Sequence, residues 1–481
     1  MAQPFLTNGT FNSYIDLVGP SLVTAARRAL RREEPRPVYL RLAEALGQSL
    51  ASDTSFRLPS ARRLAVEVGL NRATVTAAYR ELARRGLLVL RPGRPRSGAS
   101  AAQPLAGGGE PEPPDGTLDL ARYAPDRQLL PAGNVFRWLG FGEGEGESVA
   151  QYGDSWGYAP LRGFLSRRLQ GVGIEAGAED VLLTAGVQHG LDVILRALVR
   201  PGDAVLVEDP TYPGLPPLLA VHQVRSVGLP VHRDGLHPEE VGPLVERARP
   251  RLAILTPTLQ NPSGVVLDEK TRRAVLSRLL PSGCIVVEEF FDPGLVDDGK
   301  APPPLAALDP RVITVGSFSK ALFPGLRVGW VVGPRDLLER VAAVKRAADL
   351  GGSPFLEAAA WTLCRRGVLD EQLARLRGAA RARLRLVRRA LARAPAGVGW
   401  SEPRGGFSLV VTLPGGWSSR AVAARAGTLG VWVLPGPVMS VSGRDDVLRV
   451  AYAAVGGERL EAAVRSVVEA LTPGEGGLPL V

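Results

Sequence analysis

The sequence has few lysines and few residues of the kinds that build disulfides or thiolate sites. Its 58 basic residues comprise four lysines and 54 arginines, and it has two cysteines. Cys284 and Cys364 are too few for a disulfide framework or a thiolate zinc site, so we expect buried thiols and no metal. No apolar run approaches the ~20 residues of a membrane helix. The N-terminus lacks the charged-then-apolar pattern of a secretory signal, which predicts a cytoplasmic protein that is not inserted in a membrane.

The scarcity of lysine makes each lysine informative. Arginine replaces lysine wherever a positive charge is enough, but its guanidinium cannot lose a proton and attack a carbonyl. Lys320 follows an apolar run, in the segment SFSKALFPGLR at 317–327. Small hydroxyl residues precede it, and Arg327 lies seven positions later, where it can hold an anion. This setting suits a lysine that forms a Schiff base, and the alternative is a solvated surface lysine.

The positive charge is concentrated in the first fifth of the chain. Residues 1–100 contain 16 arginines and seven acidic residues, a net charge of +9, whereas the remainder has 42 basic and 41 acidic residues, a net charge of +1. A basic terminal module on a neutral body suggests a nucleic-acid or anionic-membrane partner.

The distribution of apolar, glycine and proline residues predicts the domain organisation. We expect an N-terminal extension at 1–34, a helical module at 35–96, a Gly/Pro/Ala-rich linker at 97–117 and a larger module at 118–473. In the larger module, short apolar runs alternate with helical stretches, which is typical of a parallel α/β sheet covered on both faces. The expected strands are Val181–Thr184, Ala204–Val207, Leu252–Leu255, Cys284–Val287, Val312–Val315 and Val328–Val332. The expected helices are 187–199, 213–221, 269–280 and 336–347.

The larger module divides further into a large subdomain at about 118–345 and a small α+β subdomain at about 346–473. The small subdomain should contain one long helix over 356–395. Strands are expected near 407–412 and 447–452, with a last helix near 456–471.

The helical module has the pattern of a winged helix-turn-helix. Helices are expected at Pro37–Leu50, Ala61–Val68 and Arg72–Arg85, with a tight turn at Gly69. A strand at Leu87–Leu90 and a basic turn up to Arg96 would form the wing. The last helix of such a unit enters the major groove. The alternative is a small helical packing domain whose arginines only aid solubility.

Two motifs in this module resemble the GntR-type regulators: RLPSARRLA at 57–65 and GLNRATVTAAY at 69–79. The resemblance extends over roughly residues 37–96. It implies double-stranded DNA as the partner, and contacts to DNA from Arg62, Arg72, Thr74, Thr76, Gly93 and Arg94.

The larger module carries several motifs that suit one ligand. Backbone N–H groups at a helix N-terminus in TAGVQHG (184–190) would cradle a phosphate, and the aromatic of EDPTYPG (208–214) would stack on a flat ring. An amide follows in TPTLQNPSG (256–264), and arginines suited to phosphate and carboxylate lie at Arg327 and Arg449. Taken singly, each motif is also compatible with an ordinary turn, a core aromatic or a surface arginine.

Together with YGDSWGYAPLR at 152–162, these motifs resemble the fold-type I aminotransferases, over about 118–473. The resemblance implies pyridoxal 5′-phosphate as the cofactor and Lys320 as its Schiff-base lysine. It implies Arg449 as the anchor of an effector or substrate carboxylate, and Tyr152 as a contact to the phosphate across a homodimer interface. The other implied cofactor residues are Gly186, Val187, Gln188 and Ser317 with Arg327 around the phosphate, Tyr212 on the ring, and Asn261 near the 3′-oxygen.

One segment departs from the family's pattern of an Asp on the pyridine nitrogen followed by a Tyr on the 3′-oxygen. This chain has VVEEFFD at 286–292, which aligns Glu289 with the Asp and Phe291 with the Tyr. Glu289 keeps a carboxylate, but Phe291 has no hydroxyl, so efficient transamination is not expected. A shift in register that recruits Asp292 is the alternative.

The two modules in one chain resemble the MocR subgroup of GntR regulators. The resemblance implies a DNA-binding regulator that senses pyridoxal 5′-phosphate or an amino compound. Two alternatives stay open: a genuine aminotransferase that carries a DNA-binding domain, and a cofactor-free repressor whose C-terminal module only dimerises.

Overall fold

The chain divides into two compact units, Met1–Gly107 and Gly108–Val481. The computed structural model describes residues 37–52, 60–84, 88–89, 96–97, 113, 116–131 and 149–472. The division between the units lies inside the predicted linker, but most of that linker and the predicted 1–34 extension lie outside the described residues. The domain limits therefore stay predictions.

Local hydrogen bonds fix the two helices at the predicted turn of the N-terminal unit. The Ser60 hydroxyl accepts the Arg63 N–H at 3.3 Å, and Gly69 ends that helix in the left-handed conformation with φ 71°. Asn71 Oδ1 accepts both the backbone N–H of Thr74, at 2.8 Å, and its hydroxyl, at 2.9 Å. These bonds satisfy backbone donors that a helix N-terminus leaves free, so the predicted turn is confirmed.

Three helices of this unit share one apolar core, and a short strand pair accompanies them. The helices are α1 (Val38–Ser52), α2 (Ala61–Val68) and α3 (Arg72–Arg84). Their packed side chains are Leu42, Leu46, Leu64, Val75, Tyr79 and Leu82. Strands β1 (Leu88–Val89) and β2 (Arg96–Ser97) pair antiparallel, where the wing was predicted. Gly93 and Arg94 lie outside the described residues.

A seven-stranded sheet with the order β4-β10-β9-β8-β7-β5-β6 forms the centre of the second unit. Val205 and Val207 belong to a buried cluster on one face of the sheet, and Leu206 belongs to a cluster on the other. Burial on both faces agrees with the continuously apolar strands of the sequence. The strands are β4 (Val181–Thr184), β5 (Ala204–Asp209), β6 (Arg225–Pro230), β7 (Leu252–Leu255), β8 (Ile285–Phe290), β9 (Ile313–Ser317) and β10 (Gly329–Val332).

Helices connect and cover the strands of this sheet. They are α4 (Ala159–Gln170), α5 (Val187–Leu198), α6 (Leu215–Val221), α7 (Pro238–Ala248), α8 (Glu269–Leu279), α9 (Leu305–Leu308) and α10 (Arg335–Asp349). A two-residue strand β3 (Leu118–Asp119) precedes them. The four helices predicted between the strands occur within two residues of the expected limits. Strand β6 and helices α4, α7 and α9 were missed. Strand β6 is an edge strand whose side chains are mostly half-exposed.

Strand β10 corrects the expectation of a wholly parallel sheet. It pairs antiparallel with both β4 and β9, while β5 to β9 pair in parallel. A parallel neighbour requires a crossover of a dozen or more residues, usually a helix. The 318–328 connection between β9 and β10 contains only a 3₁₀ turn at Pro324–Leu326, so the chain returns in the opposite direction.

The C-terminal part of this unit is a smaller α+β layer. Its sheet has the order β11-β12-β15-β14. The single helix predicted over 356–395 is wrong, because Gly367 adopts φ 76° between α11 (Pro354–Arg365) and α12 (Val368–Leu391). The remaining elements are β11 (Gly399–Trp400), β12 (Leu409–Thr412), α13 (Ser419–Thr428), β13 (Val431–Trp432), β14 (Leu434–Pro435), β15 (Val447–Val450) and α14 (Gly457–Leu471).

Two expectations from composition concern thiols and membranes. Cys284 and Cys364 are buried free thiols, as predicted. Within the ranges that the structure describes, no helix is long and apolar enough to span a membrane, and no cluster of His, Cys, Asp and Glu could hold a metal ion.

Candidate cofactor site

A cavity lies at the edge of the large sheet where β4, β5, β7, β8 and β9 end. Ligands of open α/β sheets bind at the carboxyl ends of the strands, because the following loops and helix N-termini converge there. Eight of the side chains predicted from the motifs line this cavity: Val187, Gln188, Tyr212, Asn261, Glu289, Ser317, Lys320 and Arg327.

The turn from β4 into α5 forms an anion cradle at one end of the cavity. Gly186 precedes the first residue of α5 with φ 96°, a conformation that favours glycine. A Cβ at this position would lie 3.0 Å from Arg327 Nη2. Arg327 donates from Nη2 to the Ala185 carbonyl at 2.9 Å. The helix N-terminus and the guanidinium therefore flank the same space, which suits a phosphate.

Lys320 follows the end of β9 and lies half-buried in the cavity. Its Nζ donates to the carbonyl oxygen of Tyr123 and lies 5.2 Å from the centroid of the Tyr123 ring. Ser317, the last residue of β9, accepts the Ser319 N–H on its Oγ at 3.3 Å. The primary amine thus lies on the cavity side of the sheet, as the Schiff-base role requires.

Glu289 projects from β8 and is buried beside Thr256, whose hydroxyl donates to Glu289 Oε2 at 3.4 Å. Burial raises the pKa of Glu289 to about 7, against the opposing effects of the Lys320 charge and the Thr256 hydrogen bond. Burial likewise raises the pKa of Glu208 to about 7. Glu208 accepts the Thr256 N–H at 3.1 Å and Gln260 Nε2 at 3.0 Å. Thr256 therefore joins two buried carboxyl groups, of which Glu289 lines the cavity.

The segment after Glu289 places both Phe291 and Asp292 at the wall of the cavity, and Asp292 is paired there with Arg168. Asp292 accepts Arg168 Nε at 2.8 Å and the Gly294 N–H at 2.8 Å. Glu289 is buried and lies within electrostatic reach of Lys320, whereas the Asp292 carboxylate is already bonded to Arg168 and Gly294; the assignment of Glu289 in place of Asp292 stays a prediction. The Phe291 ring meets the Tyr123 ring edge to face, with centroids 6.3 Å apart.

The remaining predicted cavity residues come from three different elements. Gln188 Nε2 donates to the Gly214 carbonyl at 3.1 Å, which ties the first turn of α5 to the loop that carries Tyr212. Asn261 is buried and accepts Arg449 Nη1 on Oδ1 at 3.4 Å. Arg449 is fully buried behind Asn261 and also donates from Nη2 to the Ala121 carbonyl.

The structure places the other predicted residues outside the cavity. Tyr152 is 92 % exposed. In the N-terminal unit, Arg62 and Arg72 are exposed, whereas Thr74 and Thr76 are half-buried. The Thr76 hydroxyl donates to the Arg72 carbonyl at 2.8 Å.

Sequence reasoning missed Tyr123, Thr256 and Trp330, all of which contribute to the site. Tyr123 and Trp330 line the cavity, and Thr256 bridges Glu208 to Glu289. Trp330 belongs to β10 and looked like part of an apolar strand. Tyr123 follows the linker in a segment without a recognisable motif, so no local signal could have identified it.

The residues present suit a phosphorylated, cationic ring. Gln188 Oε1 is buried and has no hydrogen-bond partner among the described residues. Arg327 and the α5 N-terminus match a phosphate, Tyr212 a planar ring, and Glu289 a protonated ring nitrogen. Lys320 supplies the primary amine.

The raised pKa of Glu289 predicts how stability depends on pH. The folded-state pKa of Glu289 is about 7 and its ordinary value is 4.5. The stability that the protonated carboxyl group contributes is therefore complete below pH 4.5 and is lost as the pH rises through about 7. We expect the melting temperature of the cofactor-free protein to fall between pH 5.5 and 8, and to fall less in Glu289→Gln. Thermal denaturation of both proteins at pH 5.5 and 8 measures the change in melting temperature. Glu402→Gln, at an exposed ion pair with Arg233, is the matched control, and equal pH slopes for Glu289→Gln and wild type would refute the assignment.

The sheet, the cradle and the lysine together define a fold-type I protein that takes pyridoxal 5′-phosphate. A family model, "Aminotransferase class I and II", matches residues 121–467, and the chain belongs to that family. In a solved structure, LysN, an α-aminoadipate aminotransferase from Thermus thermophilus, is 31% identical and superposes with a TM-score of 0.68, over 74% of this chain and 92% of LysN.

Relatives named as transcriptional regulators match as well. The HTH-type transcriptional regulator TauR of Rhodobacter capsulatus is 28% identical over 452 residues, which cover 86% of this chain and 92% of TauR. The probable rhizopine catabolism regulatory protein MocR of Rhizobium meliloti is 30% identical over 369 residues, 71% of this chain and 74% of MocR. The predicted relationship to MocR-type regulators is therefore confirmed.

Proposed function

We propose that the protein is a DNA-binding transcriptional regulator whose aminotransferase-like unit senses pyridoxal 5′-phosphate or an amino compound. One observation carries the proposal: a basic helical unit is joined in one chain to a unit whose cavity gathers Lys320, Arg327 and Glu289. The match to TauR extends over 86% of the chain, which is more than the aminotransferase-like unit alone.

Helix α3 would be the recognition helix of the DNA-binding unit. Exposed Arg72, in its first turn, suits a guanine edge in the major groove, and exposed Arg62 suits a phosphate. The hydroxyls of Thr74 and Thr76 are already bonded to Asn71 and to the Arg72 carbonyl. These threonines would therefore present their methyl groups, which suit a thymine methyl. The wing residues Gly93 and Arg94, predicted from the sequence to contact DNA, lie outside the described residues and stay a prediction.

The cofactor unit would hold pyridoxal 5′-phosphate by the groups already described. Gly186, Val187 and Arg327 would bind its phosphate, Ser317 would lie beside them, and Tyr212 would stack on its ring. When bound, the cofactor supplies an aldehyde that condenses with primary amines and a ring that withdraws electrons.

The lysine and the partners of the ring complete this assignment. Lys320 would hold the cofactor covalently, Glu289 would face the ring nitrogen, and Asn261 would face the 3′-oxygen. Phe291 offers no hydroxyl to that oxygen, which favours capture of an amino compound over sustained turnover.

The segment after the predicted linker offers a way for the ligand to act on the rest of the chain. Its Ala121 carbonyl accepts Arg449, and its Tyr123 carbonyl accepts Lys320. A cofactor at Lys320 and a carboxylate at Arg449 would compete with both contacts. We propose that this competition shifts residues 118–124, which directly follow the linker, and so changes DNA affinity.

The proposed homodimer rests on a surface of the second unit that carries large exposed apolar side chains. Tyr152, Leu350 and Phe355 are 92 %, 67 % and 46 % exposed. Their segments adjoin, since a Cβ at Gly153 would lie 2.9 Å from Pro354 Cγ. Contiguous exposed apolar groups mark interaction surfaces, and a two-fold dimer would match paired half-sites in an operator.

A combined binding experiment tests the proposal. The full-length protein is titrated onto its own upstream DNA in a gel shift, with and without pyridoxal 5′-phosphate and candidate amino acids, while visible absorption follows the cofactor. We expect a new absorption band and a changed DNA affinity. The proposal fails if no band forms and Lys320→Ala leaves DNA binding unchanged.

A further inference from the structure

His189, in the TAGVQHG segment, contacts the anion cradle from behind, although no role was predicted for it. It is the third residue of α5, and its Nδ1 accepts the backbone N–H of Ala185 at 3.0 Å. The carbonyl of the same residue accepts Arg327 Nη2 at 2.9 Å. Ala185, which immediately precedes Gly186, is therefore held by the imidazole on one side and by the guanidinium on the other.

The opposite edge of the imidazole faces an ion pair between the buried Lys345 and the half-buried Asp349. His189 Nε2 lies 4.0 Å from Asp349 Oδ2, and the same oxygen lies 3.0 Å from Lys345 Nζ. Lys345 is fully buried and also donates to the Ser155 carbonyl at 3.3 Å. Because Nδ1 is the acceptor, the proton of the neutral ring belongs on Nε2, on the side of the Asp349 carboxylate.

The charge state of the ring decides whether this contact exists. A neutral imidazole can accept on Nδ1, whereas a protonated one has N–H donors on both nitrogens. Burial lowers the pKa of His189. The Asp349 and Asp192 carboxylates oppose that effect, and the Lys345 and Arg196 cations reinforce it. The ring is therefore neutral at neutral pH, where the contact to Ala185 is complete.

We infer that His189 is a positioning residue of the anion cradle, and that its neutral imidazole holds the Ala185–Gly186 turn in the orientation that receives the cofactor phosphate. The inference rests on the proposed binding of pyridoxal 5′-phosphate. The contact resembles a capping box, in which a side chain in the first turn of a helix bonds a backbone N–H just before it. A simple helix cap would affect folding, whereas a positioning role makes phosphate affinity follow the protonation of one ring.

Two substitutions in the full-length protein separate these roles. His189→Gln keeps an acceptor but cannot titrate in this range, and His189→Leu removes the acceptor. His222→Gln is the matched control, because His222 pairs with Asp192 of the same helix at 2.8 Å and does not touch the cradle. The dissociation constant for pyridoxal 5′-phosphate is measured by visible absorption in a series from pH 7.5 down to the lowest pH at which circular dichroism shows a folded protein.

At pH 7.5 we expect about tenfold weaker binding for His189→Leu, the loss of roughly one hydrogen bond, and near wild-type binding for His189→Gln and His222→Gln. As the pH falls below the lowered pKa of His189, cofactor binding by wild type should weaken relative to His189→Gln, because only wild type loses its acceptor. Titrations of the cofactor and of Lys320 are common to both proteins and cancel in the ratio. This ratio decides the question even if His189→Leu fails to fold.

The possible failures are distinguishable. If wild type binds the cofactor and the ratio of wild type to His189→Gln stays constant throughout the pH series, the positioning role is refuted while the cofactor proposal stands. If wild type itself shows no binding at any pH of the series, both are overturned.

Discussion

Replacing Lys320 with arginine is expected to abolish the visible absorption band that pyridoxal 5′-phosphate produces with the protein. Arginine keeps the positive charge beside Glu289 and Tyr123, but its guanidinium does not give up a proton to become a nucleophile. Absorption spectroscopy measures the loss, and mass spectrometry after borohydride reduction should find the adduct on Lys320 in wild type only.

The matched controls for this variant are Lys270→Arg and Lys300→Arg, because both lysines are exposed. Each should retain the full band. A band of wild-type intensity in Lys320→Arg would show that the cofactor is attached elsewhere or bound without a covalent link.

Replacing Arg72 with alanine is expected to weaken binding to the specific operator by roughly 5- to 150-fold, the range for loss of one bidentate contact to a base. Arg72 begins α3 and is exposed, so its removal should leave the fold intact. Fluorescence anisotropy with operator and with unrelated DNA measures the effect. The affinity for the operator should fall far more than the affinity for the unrelated sequence.

Two further arginines provide comparisons for this prediction. Arg62→Ala should weaken binding to the operator and to the unrelated DNA by similar factors, because a phosphate contact carries no sequence information. It should also reduce the salt dependence of binding. Arg273→Ala, at an exposed helical ion pair with Glu269 in the other unit, should change neither. An equal loss of affinity for both DNAs in Arg72→Ala would show that α3 is not the recognition helix.

The elements that the sequence predicted are those with a strong local signal. Ser60, Gly69 and Asn71 are caps and turns whose chemistry acts within four residues, and the apolar strands of the large sheet need no distant information to be recognised. Strand β6 was missed because an edge strand contacts the core through few side chains. The direction of β10 was missed because it depends on how the connection at 318–328 folds, which periodicity does not describe. The helix break at Gly367 was missed because a single glycine is also tolerated inside a helix.

The candidate site was predictable where a short motif carries its chemistry, as around Lys320 and around Gly186. The rest depends on contacts between residues far apart in sequence. Tyr123 meets Lys320 across 197 positions, and Thr256 acts on Glu289 across 33. Asp292 is paired with Arg168, on α4, across 124 positions, and no pattern near Asp292 reveals that partner.

The scarcity of lysine also makes this chain suitable for chemical mapping. Amine-directed reagents have four side-chain targets, and the fully buried Lys345 is shielded in the folded state. Lys270 and Lys300 are exposed and should react at the same rate whatever the site contains. They therefore provide an internal standard within each molecule. The reactivity of Lys320 relative to these two lysines would report the fraction of sites occupied in a mixture, without a purified complex and without a spectroscopic label.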